Sequence, residues 1–164
     1  IMLNINELCK KIRYDVLEAM CYLGFEYDPF STMPEILIVD RDAMDGFIHS
    51  TNHDEPVVAG YDCINNKIYI PVDLLNNPER LYQALCHELT HSWQGSNRLL
   101  LDLAMPNYYF RQTEKEAFMV GSYMEATMFY RKTLSTLTFD KVMANMTEAW
   151  NKLQIKSLLN QKES

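Results

Sequence analysis

His87-Glu88-Leu89-Thr90-His91 sets two imidazoles four residues apart, with a carboxylate next to the first. On a helix of 3.6 residues per turn the two histidines share a face, and their neutral rings can take adjacent corners of a tetrahedral zinc site. Glu88 is offset by one position, so its carboxylate is placed to reach a water on the same ion. The pattern supplies a ligand pair and a general base, which together are what metal-assisted hydrolysis requires. Ala84, Leu85 and Cys86 before it and Ser92 and Trp93 after it carry no charge, as a partly buried helix demands.

A mononuclear site needs a third protein ligand, and a catalytic one leaves the fourth position for water. No histidine follows His91, so that ligand must be a carboxylate: Asp102, Glu114, Glu116 or Glu125. Thr113-x-x-Glu116 also spells a capping box, in which the glutamate would serve only the start of a helix. Charge developing on a cleaved carbonyl needs a further donor, and Tyr108, Tyr109, Arg111, Tyr123, His49 and His53 are the residues of suitable type.

These groups need rigid elements beneath them. Asn77 as N-cap, Pro78 at the first helical position and Gly95 past the end predict a helix over 78–94, with Leu81, Leu85, Leu89 and Trp93 as its core stripe. Ile5, Leu8, Ile12, Val16, Ala19, Met20 and Leu23 predict an N-terminal helix that stops at Gly24. Glu35 to Val39 reads as a strand, Asp40 to Pro56 as a long polar loop, and Val57 to Cys63 with Lys67 to Ile70 as a hairpin turned by Asn65-Asn66. Such a hairpin, just ahead of the metal helix, could hold an extended substrate by main-chain hydrogen bonds. Thr113 opens a second helix whose apolar side is Ala117, Val120, Gly121, Met124 and Met128. A last helix follows Thr138, carries Val142, Met146, Ala149, Trp150 and Leu153, and is expected to pack on the second and to fray from Gln154.

At 164 residues and 48% hydrophobic content the chain suits a single domain over 1–164, of the α+β class, with a small, mainly antiparallel sheet. A net charge of −7 with no basic cluster argues against nucleic acid, and no stretch is long and apolar enough for a bilayer. Ile1 ahead of Met2 reads as an addition to a natural start, and no secretory signal pattern follows. Cys9, Cys21, Cys63 and Cys86 lack the short paired spacing of a structural zinc site and read as reduced thiols of a cytoplasmic protein. Cys9 and Cys21, on one helix, would stand about 18 Å apart, too far to bridge.

The zinc motif followed by Glu116-Ala117 resembles the gluzincins, zinc peptidases in which a glutamate in a Glu-Ala context on the next long helix completes the ligand set. The likeness covers roughly Val57 to Met128, and the loop length from His91 to Glu116 is compatible with compact members such as the minigluzincins and the ImmA/IrrE-type peptidase domains. It implies a zincin-like fold, a Zn2+ cofactor held by His87, His91 and Glu116, and Glu88 as the catalytic base of a metalloprotease acting on a specific protein or peptide. The chain departs from the thermolysin-like pattern at Val120, where an aspartate would orient a zinc histidine. Asp102 or a backbone carbonyl is left for that task. The competing expectation is a zinc-stabilised interaction domain, or an inactive peptidase homologue, that binds protein without cutting it.

Overall fold

The structure is a computed structural model and describes residues 5–44, 58–130 and 138–163. Its order is α1 (Ile5–Leu23), β1 (Glu35–Val39), β2 (Gly60–Asp62), β3 (Lys67–Pro71), α2 (Pro78–Gln94), α3 (Ser96–Leu103), α4 (Gln112–Phe129) and α5 (Phe139–Glu163), with single 3-10 turns at Val72–Asn76 and Tyr108–Phe110. It is an α+β arrangement in which helices dominate and three strands form one mixed sheet.

α1 ends as its sequence demands. Gly24 adopts φ +79°, and the chain closes on itself through Phe25 N–H to the Met20 carbonyl at 2.8 Å and Gly24 N–H to the Cys21 carbonyl at 3.2 Å. That paired closure satisfies carbonyls a helix end would otherwise leave bare. Cys9, Ile12, Val16, Ala19, Met20 and Leu23 form the buried face. They meet Leu85, Leu89 and Trp93 of α2 and Val120 and Met124 of α4 in one core. Each buried valine, leucine, isoleucine or methionine among them contributes about 1.5–3 kcal/mol on removal from water.

The sheet runs in the order β1-β3-β2. β2 and β3 form the expected antiparallel hairpin, with Tyr61 opposite Ile68, and Asn66 takes the left-handed conformation at φ 55°. Asp62 Oδ1 accepts from the N–H of Ile64 at 3.0 Å and of Asn65 at 3.1 Å, which tightens the turn. The sheet is not mainly antiparallel, because its longer ladder joins β1 and β3 in parallel, from Glu35 with Lys67 to Val39 with Pro71. β3 takes the middle position beside β1, and β2 lies at the edge on its other side. Ile36, Ile68 and Ile70 turn inward.

Within the expected 40–56 loop, Asp40 caps a helical turn over residues 41–44 by accepting from the Ala43 N–H at 2.9 Å, and Met44 is buried. The rest of that loop, with His49 and His53, lies outside the described residues. α3 occupies part of a stretch without an assigned element in the sequence.

α4 packs on α2, and Gly121 allows a close approach: a Cβ there would stand 3.1 Å from the Gln83 carbonyl oxygen and 3.6 Å from His87 Cβ. α5 packs on α4 through Met146 and Trp150, whose ring sits 5.3 Å from Phe118 and 5.6 Å from Tyr109. α5 does not fray at Gln154 but continues to Glu163. Its polar residues are anchored there, Gln154 Nε2 donating to the Tyr109 carbonyl at 2.8 Å and Ser157 Oγ accepting from Asn107 Nδ2 at 2.8 Å. Among the described residues no helix is long and apolar enough to cross a membrane.

Candidate metal centre

α2 begins and ends where the punctuation says. Asn77 Oδ1 accepts from the Arg80 N–H at 3.2 Å, Pro78 fills the first position, and Gly95 leaves the helix at φ 89°. The helix thereby turns Leu85, Leu89 and Trp93 to the core and presents His87 and His91 together on a different face, their ring centres 5.0 Å apart.

The carboxylate that meets them is Glu114, from the first turn of α4. Its two oxygens divide between the rings, Oε1 lying 2.6 Å from His91 Nε2 and Oε2 lying 3.2 Å from His87 Nε2. One donor atom from each of His87, His91 and Glu114 lies within 4.8 Å of the others. Two imidazole nitrogens and a carboxylate oxygen at that spacing fit a single divalent ion of the zinc type.

Glu116 is not among them. Two residues along a helix is a rotation of about 200°, so Glu114 and Glu116 cannot face the same cleft. Glu116 turns to Arg98 of α3 in a bidentate pair, Nη1 to Oε1 at 3.1 Å and Nη2 to Oε2 at 2.8 Å, with Gln112 Nε2 at 3.3 Å. The Thr113-x-x-Glu116 capping box does not form either, because Thr113 already lies inside the helix. Glu125 is about 16 Å further along α4, beside Glu79.

Asp102 has a different task. Its Oδ2 accepts from both the N–H and the hydroxyl of Thr113, at 2.7 and 2.6 Å, and so caps α4 from the neighbouring helix. The residue that holds a histidine is Gln94. Its Oε1 lies 2.6 Å from His91 Nδ1, while its Nε2 donates to the Thr113 carbonyl at 2.9 Å. No motif marks Gln94, although three residues past His91 is a spacing at which helical side chains meet.

Glu88 is buried on α2 beside this group. Burial pushes its carboxyl up, the charge of Glu114 adds to that, and His87 and His91 pull the other way without prevailing. Burial alone would lower the His91 pKa, but the charge and hydrogen bond of Glu114, with Glu88 and the Gln94 oxygen, lift it to about 9. Glu114 moves well below the usual carboxylate range, since the two histidines outweigh the cost of its burial.

Of the donors proposed for a developing oxyanion, Tyr108 alone reaches the group among the described residues. Its hydroxyl lies 3.5 Å from His87 Nε2 and hydrogen-bonds Glu114. Burial and the charges of Glu114 and Glu88 hold the phenol well above its ordinary pKa, so it stays a donor. Tyr109 packs on Trp150, Tyr123 lies against Tyr22, and Arg111 donates to the Met105 carbonyl at 3.0 Å. Tyr61 of the edge strand β2 stacks on His91 at 6.5 Å and 16° between planes. Cys86, next to His87, is wholly buried core, and no two of the four cysteines are bridged.

Comparison with protein-family models, with curated proteins and with solved structures finds no match for this chain.

Proposed function

We propose that the protein is a zinc-dependent endopeptidase, with His87, His91 and Glu114 as ligands and Glu88 as general base. The observation that carries the proposal is the convergence of two imidazoles and one carboxylate within 4.8 Å, with a second buried carboxylate beside them that is not needed to hold an ion. A purely structural zinc closes its fourth position with protein and has no use for Glu88.

Zinc, when bound, supplies positive charge that makes water acidic near neutral pH and polarises a carbonyl. Glu88, buried next to the ligands and not needed to hold the ion, takes a proton from the attacking water and passes it to the leaving amine. Tyr108, kept protonated, donates to the oxygen on which charge develops. β2 is an edge strand of the sheet beside His91, and its outer side is where an extended peptide would pair. That geometry favours a substrate bound by its main chain, within a zincin-like architecture. The unbridged cysteines support a reducing compartment such as the cytoplasm.

The test is metal analysis of the purified protein, followed by mass spectrometry of a peptide library treated with wild type and with Glu88→Gln. About one zinc per chain and cleavage that falls on the order of 10²- to 10⁴-fold in the variant are expected. Zinc binding with no cleavage by wild type would overturn the hydrolytic reading and leave a zinc-stabilised binding domain.

A further inference from the structure

We propose that Asp102, Thr113 and Gln94 form a positioning relay that sets the tautomer and ring angle of His91, and through them the affinity of the centre for a divalent cation. The inference rests on His87, His91 and Glu114 being metal ligands.

The relay follows from donor and acceptor types. The Thr113 carbonyl can only accept, so the amide edge 2.9 Å from it must be the Gln94 NH2. The other edge, 2.6 Å from His91 Nδ1, is then the Gln94 oxygen, which requires a hydrogen on Nδ1. Nε2 is left as the atom His91 presents to an ion. Thr113 is held in turn, since Asp102 Oδ2 takes both its N–H and its hydroxyl. Gln94 and Thr113 are almost fully buried, so water does not compete for these bonds. Thr113 directly precedes Glu114, and the anchor that steadies one ligand through Gln94 therefore fixes the backbone of another. An amide in this place also leaves the imidazole less electron-rich than a carboxylate partner would, and so preserves more of the cation's charge for the substrate.

The experiment measures zinc affinity by competition with a chromophoric chelator and records the visible spectrum of the cobalt-loaded protein, for wild type, Gln94→Met, Asp102→Ala, the double variant and Asp102→Asn. Gln94→Met keeps the side-chain volume while removing both hydrogen bonds. Each single change to Met or Ala is expected to weaken zinc binding about 10- to 100-fold, with a changed cobalt spectrum in Gln94→Met. The double variant should lose less than the sum of the two singles, because part of the effect of Asp102 reaches His91 through Gln94. Asp102→Asn, which keeps an acceptor for Thr113, should recover most of the affinity. Wild-type affinity and spectrum in Gln94→Met, or losses that simply add, would overturn the relay while leaving the metal centre standing. A wild type that takes up neither metal would overturn the metal reading itself.

Discussion

Glu114 and Glu116 stand two residues apart on α4 and face opposite partners, the first meeting His87 and His91 and the second clamped by Arg98. Helix pitch alone separates a carboxylate suited to a metal from one suited to a structural ion pair.

Glu114→Gln is therefore expected to lose zinc, while Glu116→Gln keeps it. The second variant should instead lose on the order of 1–3 kcal/mol of stability, as a charged hydrogen-bonded pair is broken at a largely buried carboxylate. Zinc titration and denaturant unfolding of both variants check this. Loss of zinc in Glu116→Gln alone would invert the assignment.

Tyr108→Phe removes one hydroxyl at the edge of the ligand group and leaves the ring packed near Tyr109 and Trp150. Zinc content should be unchanged, KM nearly so, and kcat lower by roughly 10²- to 10³-fold. Steady-state kinetics on a cleaved peptide decide the point, and an equal loss in KM would make the tyrosine a substrate-binding residue.

Stability of the chelated protein should depend on pH through the His91–Glu114 pair. The folded His91 pKa of about 9 lies above its ordinary 6.5, so its contribution is complete below about 6.5 and is lost as pH climbs through 9. Glu114 lies well below its ordinary 4.5, so its contribution is present above 4.5 and is lost as pH falls. The pair supports the metal-free fold most fully between those two ordinary values. Zinc loading requires His91 to give up its Nε2 proton, and the alkaline decline should then disappear. Melting temperatures across pH, with EDTA and with zinc, provide the check; identical alkaline limbs would refute the coupling.

Gly121→Val should push α4 away from α2, because even a Cβ would stand 3.1 Å from the Gln83 carbonyl oxygen, and the two methyls of valine extend beyond it. Overpacking of this kind costs about 1–3 kcal/mol. Zinc affinity should fall with it, since His87 and Glu114 belong to the two helices being separated. Unfolding and zinc competition on the same sample measure both, and a loss of stability with no loss of affinity would show that the spacing does not control the centre.

The helices were legible in the sequence because caps and apolar stripes are local signals: Asn77, Pro78 and Gly95 bound α2, and Gly24 ends α1. The histidine pair and Glu88 were legible for the same reason. Glu114 and Glu116 were both within reach as text, and the choice between them depended on the phase of α4, which Arg98 and Asp102 fix from α3, an element the pattern did not reveal. Gln94 was hidden because its partner is a main-chain carbonyl, which every residue possesses. The parallel β1–β3 ladder was hidden because no turn joins its two strands, so the pairing leaves no local signal. The full length of α5 rests on contacts of Gln154 and Ser157 that composition alone reads as solvated ends.

His87 and Glu114 are only 27 positions apart, whereas α1 meets α2 across 79, from Arg13 to Ser92. Loop-closure entropy grows slowly with length but is smallest for such near neighbours. The chain from β2 to the end of α4 holds the edge strand, both histidines, Tyr108, the relay and Glu114 without calling on a residue from either terminus. Order of assembly follows from that proximity. The centre can come together from one contiguous stretch during folding, with α1, β1 and α5 arriving as its cover.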